Sequence, residues 1–66
     1  MIIFVNGKER DVNPPATLAE VLDLGGTTPR GVAVAVDGVV VPRTRHAATV
    51  LDDGSRVEVV TAVQGG

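Results

Sequence analysis

The 66-residue chain contains no cysteine, tryptophan or tyrosine and only one phenylalanine. Without cysteine there are no disulfides, thiolate zinc sites or cysteine nucleophiles, which excludes a disulfide-stapled secreted scaffold and CxxC redox chemistry. Basic residues are also few, 6 Lys and Arg against 8 Asp and Glu, for a net charge of −2. Nucleic-acid binding needs a basic face and usually stacking rings, so we expect no nucleic-acid partner.

Long apolar runs are missing too. No segment approaches the roughly 18 residues of a membrane span, and the residues after Met1 lack the basic start of a signal peptide. We therefore expect no membrane association and a cytoplasmic location. The hydrophobic content of 44% is consistent with one small domain that has a strongly apolar core.

Two dipeptides predict two β-hairpins. Asn6-Gly7 and Asp37-Gly38 each separate two runs that can form strands. Both dipeptides supply residues that tolerate the positive φ angles of a type I′ turn. In the first hairpin the leading strand is apolar, whereas residues 8–11 are all charged. The first strand is therefore expected inside the sheet, and the second at a protected edge.

A short helix is predicted after a double proline. Thr17 and Glu20 have the spacing of a capping box, and Gly25 is placed to end the helix in a left-handed conformation. About two turns lie between them. One face of these turns carries an apolar stripe that must pack on a sheet: Leu18, Val21 and Leu22.

The order of elements predicts the fold. Residues 43–51 form a poorly periodic connection, 52–55 a turn and 56–63 a last strand. The first and last strands are the most apolar, so we expect them to be central, adjacent and parallel. The predicted class is α+β, a β-grasp (ubiquitin-like) fold with a mixed sheet of four to five strands and one short helix packed on one face. Residues 1–63 make up this domain, and residues 64–66 a flexible tail.

Candidate catalytic residues are scarce. The single histidine, His46, follows Arg43 and Arg45, and we interpret it as a surface or half-buried residue of an irregular loop. Asp52 and Asp53 precede a glycine and are interpreted as turn formers. We therefore expect no metal site and no bound cofactor. Arg43 and Arg45 form a small basic cluster that suits an acidic patch on a partner.

The sequence closes on Gly65-Gly66. A terminal glycine presents an α-carboxylate that is ionised at neutral pH. No Cβ obstructs attack on that carboxylate or its entry into a narrow channel. Such a carboxylate is typical of a group that is modified as a substrate or that carries a cargo, and not of a catalytic residue.

Taken in order, these motifs resemble the ThiS family, the ubiquitin-like sulfur carriers of thiamine biosynthesis. The likeness covers the whole chain: the first hairpin, the Thr17-capped helix, Val40-Val41-Pro42-Arg43, the turn at 51–54, and Val57-Glu58-Val59-Val60 leading to Gly65-Gly66. Two positions depart from the family pattern. Many relatives have an aromatic residue at the place of His46 and an acidic residue at the place of Ser55.

The resemblance implies a carrier and co-substrate, not an enzyme. A ThiF-like adenylyltransferase of the ubiquitin-activating type would use ATP to activate the Gly66 carboxylate. A persulfide sulfur donor would then convert it to a thiocarboxylate, and a ThiG-like thiazole synthase would take the sulfur. Gln64 and Gly65 would thread the partner's channel. An apolar sheet face beside the last strand, including Val59, would dock the partner, with Arg43 and Arg45 as further contacts.

Three alternatives stay open. The same chemistry could serve molybdopterin, cysteine or tRNA thiolation, although the shorter length favours the thiamine pathway. A protein modifier would form isopeptide bonds through Gly66, but Lys8 is the one lysine in the sequence, which argues against lysine-linked chains. A β-grasp binding module with no tail chemistry is the third.

Overall fold

The computed structural model describes residues 1–24 and 32–61. These residues form β1 (Ile2–Val5), β2 (Lys8–Asp11), α1 (Leu18–Leu24), β3 (Val32–Val36), β4 (Val39–Val40), a 3₁₀ helix (Arg43–Ala48) and β5 (Arg56–Thr61). The strands make one sheet in the order β2-β1-β5-β3-β4. β1 and β5 pair in parallel, and the other neighbours are antiparallel. The predicted α+β class, the β-grasp fold and the central parallel pair are confirmed.

Both predicted hairpins are present, with the expected turn geometry. Asn6 and Gly7 have φ angles of 51° and 82°, and Asp37 and Gly38 have 50° and 83°. Positive φ at both central positions is the requirement of a type I′ turn. β2 is exposed along its whole length at one edge of the sheet, which agrees with its charged sequence.

The predicted helix forms, and its apolar stripe is buried against the sheet. The backbone N–H of Thr17 donates to Glu20 Oε1 over 3.0 Å, and the N–H of Glu20 donates to Thr17 Oγ1 over 3.3 Å, which confirms the capping box. The core contains the stripe and residues from the sheet and loops: Ile3, Ala16, Leu18, Val21, Leu22, Val34, Leu51 and Val57. Gly25, the predicted end of the helix, lies outside the described residues.

One prediction about the connection is wrong: residues 43–48 form a 3₁₀ helix and not an irregular loop. The Arg45 N–H donates to the Pro42 carbonyl over 2.8 Å, and the Thr49 hydroxyl donates to the Arg45 carbonyl over 2.7 Å. The residues after it are tied to the start of α1, because the Leu18 N–H donates to the Thr49 carbonyl. The bond to Leu18 and the burial of His46 depend on tertiary structure, and neither is signalled by a periodic apolar pattern.

His46 is also more deeply placed than predicted. Its side chain is buried, at 5% exposure, and its Nε2 lies 3.0 Å from the Val41 carbonyl oxygen. The imidazole thus fills space under the 3₁₀ helix and satisfies a backbone group. His46 is therefore a structural residue.

Candidate functional site

The strand that precedes the predicted sulfur-carrying tail is the middle strand of the sheet. β5 is bordered by β1 on one side and by β3 on the other. Val57, near its start, is only 1% exposed. Backbone pairing therefore holds β5 on both sides at Arg56 and Val57, and on the β3 side as far as Thr61. Gln64, Gly65 and Gly66, the predicted channel-threading and sulfur-carrying residues, lie outside the described residues.

Asn6 has a second role that the sequence did not indicate. Its backbone N–H donates to the Val57 carbonyl over 2.8 Å, and its side-chain Oδ1 accepts from the Val59 N–H, also over 2.8 Å. The side chain thereby continues the pairing of β5 after β1 has turned away. The sequence Asn6-Gly7 predicts only the turn. The contact of the Asn6 side chain with β5 joins residues distant in sequence, so it was not predicted from the sequence.

The face of the sheet opposite α1 is not covered by any described residue. We call it the open face. In β5 the side chains alternate, so Val57 faces the core and Glu58 the open side. The register of the strands places six apolar side chains on the open face: Ile2, Phe4, Ala33, Ala35, Val40 and Val60. Val40 and Val60 are the most exposed of these, at 69% and 59%. Four of them, Ala33, Ala35, Val40 and Val60, line a shallow groove together with Glu58.

Charge is divided between the two sides of the edge strand β2. Glu9 pairs with Phe4 and Asp11 with Ile2, so both carboxylates lie on the open face. Lys8 and Arg10 pair with core-facing residues and point to the helix side. The β2 end of the open face is therefore acidic, and its β3–β4 end is apolar.

One cation lies near the centre of the open face. The Arg56 guanidinium carbon is 5.8 Å from the centroid of the Phe4 ring, a cation–π arrangement. The backbone N–H of Arg56 donates to Asp37 Oδ1 over 2.9 Å, which ties the start of β5 to the second hairpin turn. These contacts hold Arg56 in place beside the apolar groove.

The predicted docking residues fall on different surfaces. Val59 faces the helix side, where it is half-buried against the core, so Val60 and not Val59 is the β5 valine of the open face. Arg43 and Arg45 are exposed on the 3₁₀ helix beyond β4. The roles predicted for these three residues in docking stay predictions.

The acidic pair has a structural role. Asp53 Oδ1 accepts from the Ile2 N–H over 2.7 Å, and the Asp52 N–H donates to the buried Ser55 hydroxyl over 2.9 Å. Over residues 1–24 and 32–61, no group of three or more His, Cys, Asp or Glu side chains is arranged to hold a metal ion. The seven residues of α1 are too few to cross a membrane, and no other described helix is long enough.

Glu20 is the described titratable group with a clear pKa perturbation. The hydrogen bond from the Thr17 backbone, and then the one from the Thr17 hydroxyl, lower the pKa of the Glu20 carboxyl. Because Glu20 belongs to the helix cap, this shift reports on helix stability and not on a catalytic acid. The described residues therefore present an open sheet face with an apolar groove and no catalytic constellation.

Comparison with known proteins shows similarity to the ThiS family in both sequence and structure. The model of the ThiS family matches residues 3–66. A crystal structure of the thiamine biosynthesis protein (ThiS) from Geobacter metallireducens superposes with a TM-score of 0.84 at 30% identity, over all of both chains. A solution structure of a thiamine biosynthesis protein from the same organism gives a TM-score of 0.76 at 29% identity, over all of this chain and 88% of that one.

A longer relative is also similar. The thiazole synthase of Paramagnetospirillum magneticum is 32% identical over 66 residues, which are all of this chain and 20% of that protein. The chain thus spans about a fifth of the length of this curated relative. A sequence like this one is therefore joined to other sequence within a protein named as a thiazole synthase.

Proposed function

Because the chain belongs to the ThiS family, we propose that it is a sulfur carrier of thiamine biosynthesis, in which the Gly66 carboxylate is adenylated, converted to a thiocarboxylate and used as the sulfur donor for the thiazole ring. The protein is then a co-substrate of partner enzymes and not itself an enzyme. ATP is consumed by the adenylyltransferase and is not a bound cofactor of the carrier. The proposal requires a free α-carboxylate on Gly66.

The position of β5 carries this proposal. A tail that enters an active site must be held firmly where it leaves the domain, and β5 has hydrogen-bonded neighbours on both sides, with Asn6 extending one of them. Residues 61–66 span at most about 20 Å when extended. The tail's reach is thus fixed by a short segment that begins on the most strongly anchored strand.

The open face is the docking surface in this proposal. It lies beside the strand that leads to the tail, and its apolar groove is lined by Val40 and Val60. Burial of exposed apolar side chains is the usual driving force for such contacts. The carboxylates of Glu9 and Asp11 favour a partner whose surface is basic opposite β2 and apolar opposite β3 and β4.

Two partner enzymes and a sulfur donor follow from the chemistry. A ThiF-like adenylyltransferase activates the carboxylate, which makes AMP the leaving group at the acyl carbon. The outer sulfur of a persulfide donor then attacks the acyl carbon and displaces AMP, which forms an acyl disulfide. A thiol reductant cleaves the S–S bond of that disulfide, releases the thiocarboxylate and is itself oxidised to a disulfide. A ThiG-like thiazole synthase accepts that sulfur, and the match to a protein named thiazole synthase supports this partner.

Intact-mass measurement tests the proposal. The protein is incubated with the adenylyltransferase of its own organism, ATP, a persulfide donor and a thiol reductant, and we expect a species in which one oxygen is replaced by sulfur. Gly65→Val and a chain with one alanine appended after Gly66 should both lose this product by at least about a hundredfold, because catalytic steps tolerate misplacement of only about 1 Å. Asp23→Ala, an exposed change on α1, is the matched control.

The same experiment separates the alternatives. Normal thiocarboxylate formation by the alanine-extended chain would exclude a role for the tail and favour a plain binding module. A thiocarboxylate that forms but is not consumed by thiazole synthase would assign the carrier to another pathway, such as molybdopterin, cysteine or tRNA thiolation.

A further inference from the structure

The outer edge of β4 has unpaired backbone groups among the described residues. In the second hairpin the Val41 N–H donates to the Val34 carbonyl over 2.8 Å, and Val40 lies opposite Ala35. Antiparallel pairs alternate between hydrogen-bonded and non-hydrogen-bonded positions, so Val40 occupies a non-hydrogen-bonded position. Its N–H and C=O therefore point away from β3, toward the edge of the sheet.

The two edges of the sheet differ in their protection. β2 carries four charged side chains, a pattern that discourages pairing with another strand. β4 carries two valines, Val39 and Val40, exposed at 67% and 69%. β-branched apolar side chains on an edge favour strand addition, because they pack well against a neighbouring strand.

A groove beside this edge contains a positively charged side chain, Arg45. It has a volume of about 230 Å³ and is lined by Val40, Val41, Pro42, Arg45 and Thr49. Arg45 makes no ion pair with any residue of the described ranges. Val40 also lines the groove of the open face, so the two grooves meet at this residue. The proposed docking surface therefore continues around the edge of the sheet.

We propose that an extended segment of the thiazole synthase adds as a strand to the edge of β4, pairs with the backbone of Val40 and places a carboxylate near Arg45. This inference rests on the proposed function, because it assigns the segment to that partner. The outward N–H and C=O of Val40 require a segment that is extended. Continuity with the open face requires it to be apolar toward Val40, and the basic groove requires it to be acidic toward Arg45.

Two substitutions at one position separate backbone pairing from side-chain contact. Val40→Pro removes the outward N–H and keeps an apolar side chain, and proline is tolerated at an edge where the N–H faces solvent. Val40→Ala keeps the N–H and removes two methyl groups. In calorimetric titration of the carrier with the thiazole synthase of its own organism, we expect Val40→Pro to raise Kd about tenfold or more, and Val40→Ala to raise it less.

Arg45 is tested against its neighbour on the same helix. Arg45→Glu should slow association with the synthase more than Arg43→Glu, since Arg43 does not line the groove, and the difference should shrink at high salt. Amide exchange of the unchanged carrier provides a measurement that needs no variant. The Val40 amide should exchange rapidly in the free protein and become protected in the complex.

The outcomes distinguish this inference from the proposed function. Val60→Asp tests the open face alone. Two results would show that the edge of β4 is not used: Val60→Asp weakens binding while Val40→Pro has no greater effect than Val40→Ala, or the Val40 amide stays unprotected in the complex. Either result would leave the proposed carrier function intact. Protection of that amide in the isolated protein, with a concentration-dependent dimer in sedimentation, would assign the edge to a second copy of the chain. An unchanged carrier that neither binds the synthase nor forms a thiocarboxylate would overturn both proposals.

Discussion

Truncation of Leu22 to alanine tests how much the helix contributes to the fold. Leu22 is 4% exposed and belongs to the stripe that α1 packs on the sheet. The change removes three carbon atoms, and at about 0.8 kcal/mol for each buried methylene the transfer cost alone is roughly 2.4 kcal/mol. A residual cavity adds to this cost, so we expect a total loss of about 2–4 kcal/mol.

That loss is large for a domain of this size. At about 0.05–0.15 kcal/mol per residue, 66 residues are stable by roughly 3–10 kcal/mol. The melting temperature should fall by about 10–25 °C, and a domain at the lower limit would unfold. Urea titration followed by far-UV circular dichroism measures the free energy of unfolding directly.

Leu22→Met is the matched control, because it preserves most of the buried volume and should cost less than about 1.5 kcal/mol. Full collapse of the site would remove only the cavity cost and leave the transfer cost of roughly 2.4 kcal/mol. If Leu22→Ala costs less than about 0.5 kcal/mol, Leu22 contributes little to the core, which would refute the packing of α1 described above.

Three further substitutions test local features by denaturation. Gly7→Ala should lower the free energy of unfolding by about 1–2 kcal/mol because alanine disfavours a φ of 82°, since nothing lies within 4 Å of the added Cβ. Asparagine tolerates positive φ better than alanine, so an equal loss for Gly7→Asn would contradict this explanation. Glu20→Gln should be less stable than the unchanged protein at neutral pH, and this difference in the free energy of unfolding should shrink as pH falls toward about 3. A lowered carboxyl pKa stabilises the fold above the unfolded-state pKa, and that stabilisation is lost as pH falls through the folded-state pKa. A difference that does not change with pH would show that ionisation of Glu20 does not stabilise the fold. His46→Ala should cost about 1–3 kcal/mol through lost packing and the lost bond to Val41, and His46→Phe should cost less; if both are neutral, the imidazole is not part of the core.

Local signals in the sequence predicted most of the fold. The two turn dipeptides, the capping box and the charged run at 8–11 each depend on neighbouring residues, so they could be interpreted without tertiary information. The 3₁₀ helix could not be predicted in this way. Its buried side chain, His46, is not part of a periodic apolar pattern, and the residue that follows the helix is held by the start of α1, which is distant in sequence.

The orientation of β5 could be predicted only in part. Valines at 57, 59 and 60 break strict alternation, so the sequence leaves either Val59 or Val60 on the buried side. Pairing with β3 decides the question, because Val59 lies opposite the core residue Val34 and Val60 opposite Ala33. The docking role predicted for a face beside the last strand stays a prediction, and the β5 valine exposed on the open face is Val60, the neighbour of the Val59 named from the sequence.

The central position of β5 also affects how the domain assembles. The strand made last lies between β1 and β3, so the two hairpins cannot join into one sheet until residues 56–61 are available. The pairing of β1 with β5 joins residues more than fifty positions apart, and such distant contacts slow folding. A nascent chain that still lacks β5 therefore has two separate hairpins and no open face. Partner enzymes would encounter a binding-competent surface only on chains whose synthesis has already reached the strand that bears the tail.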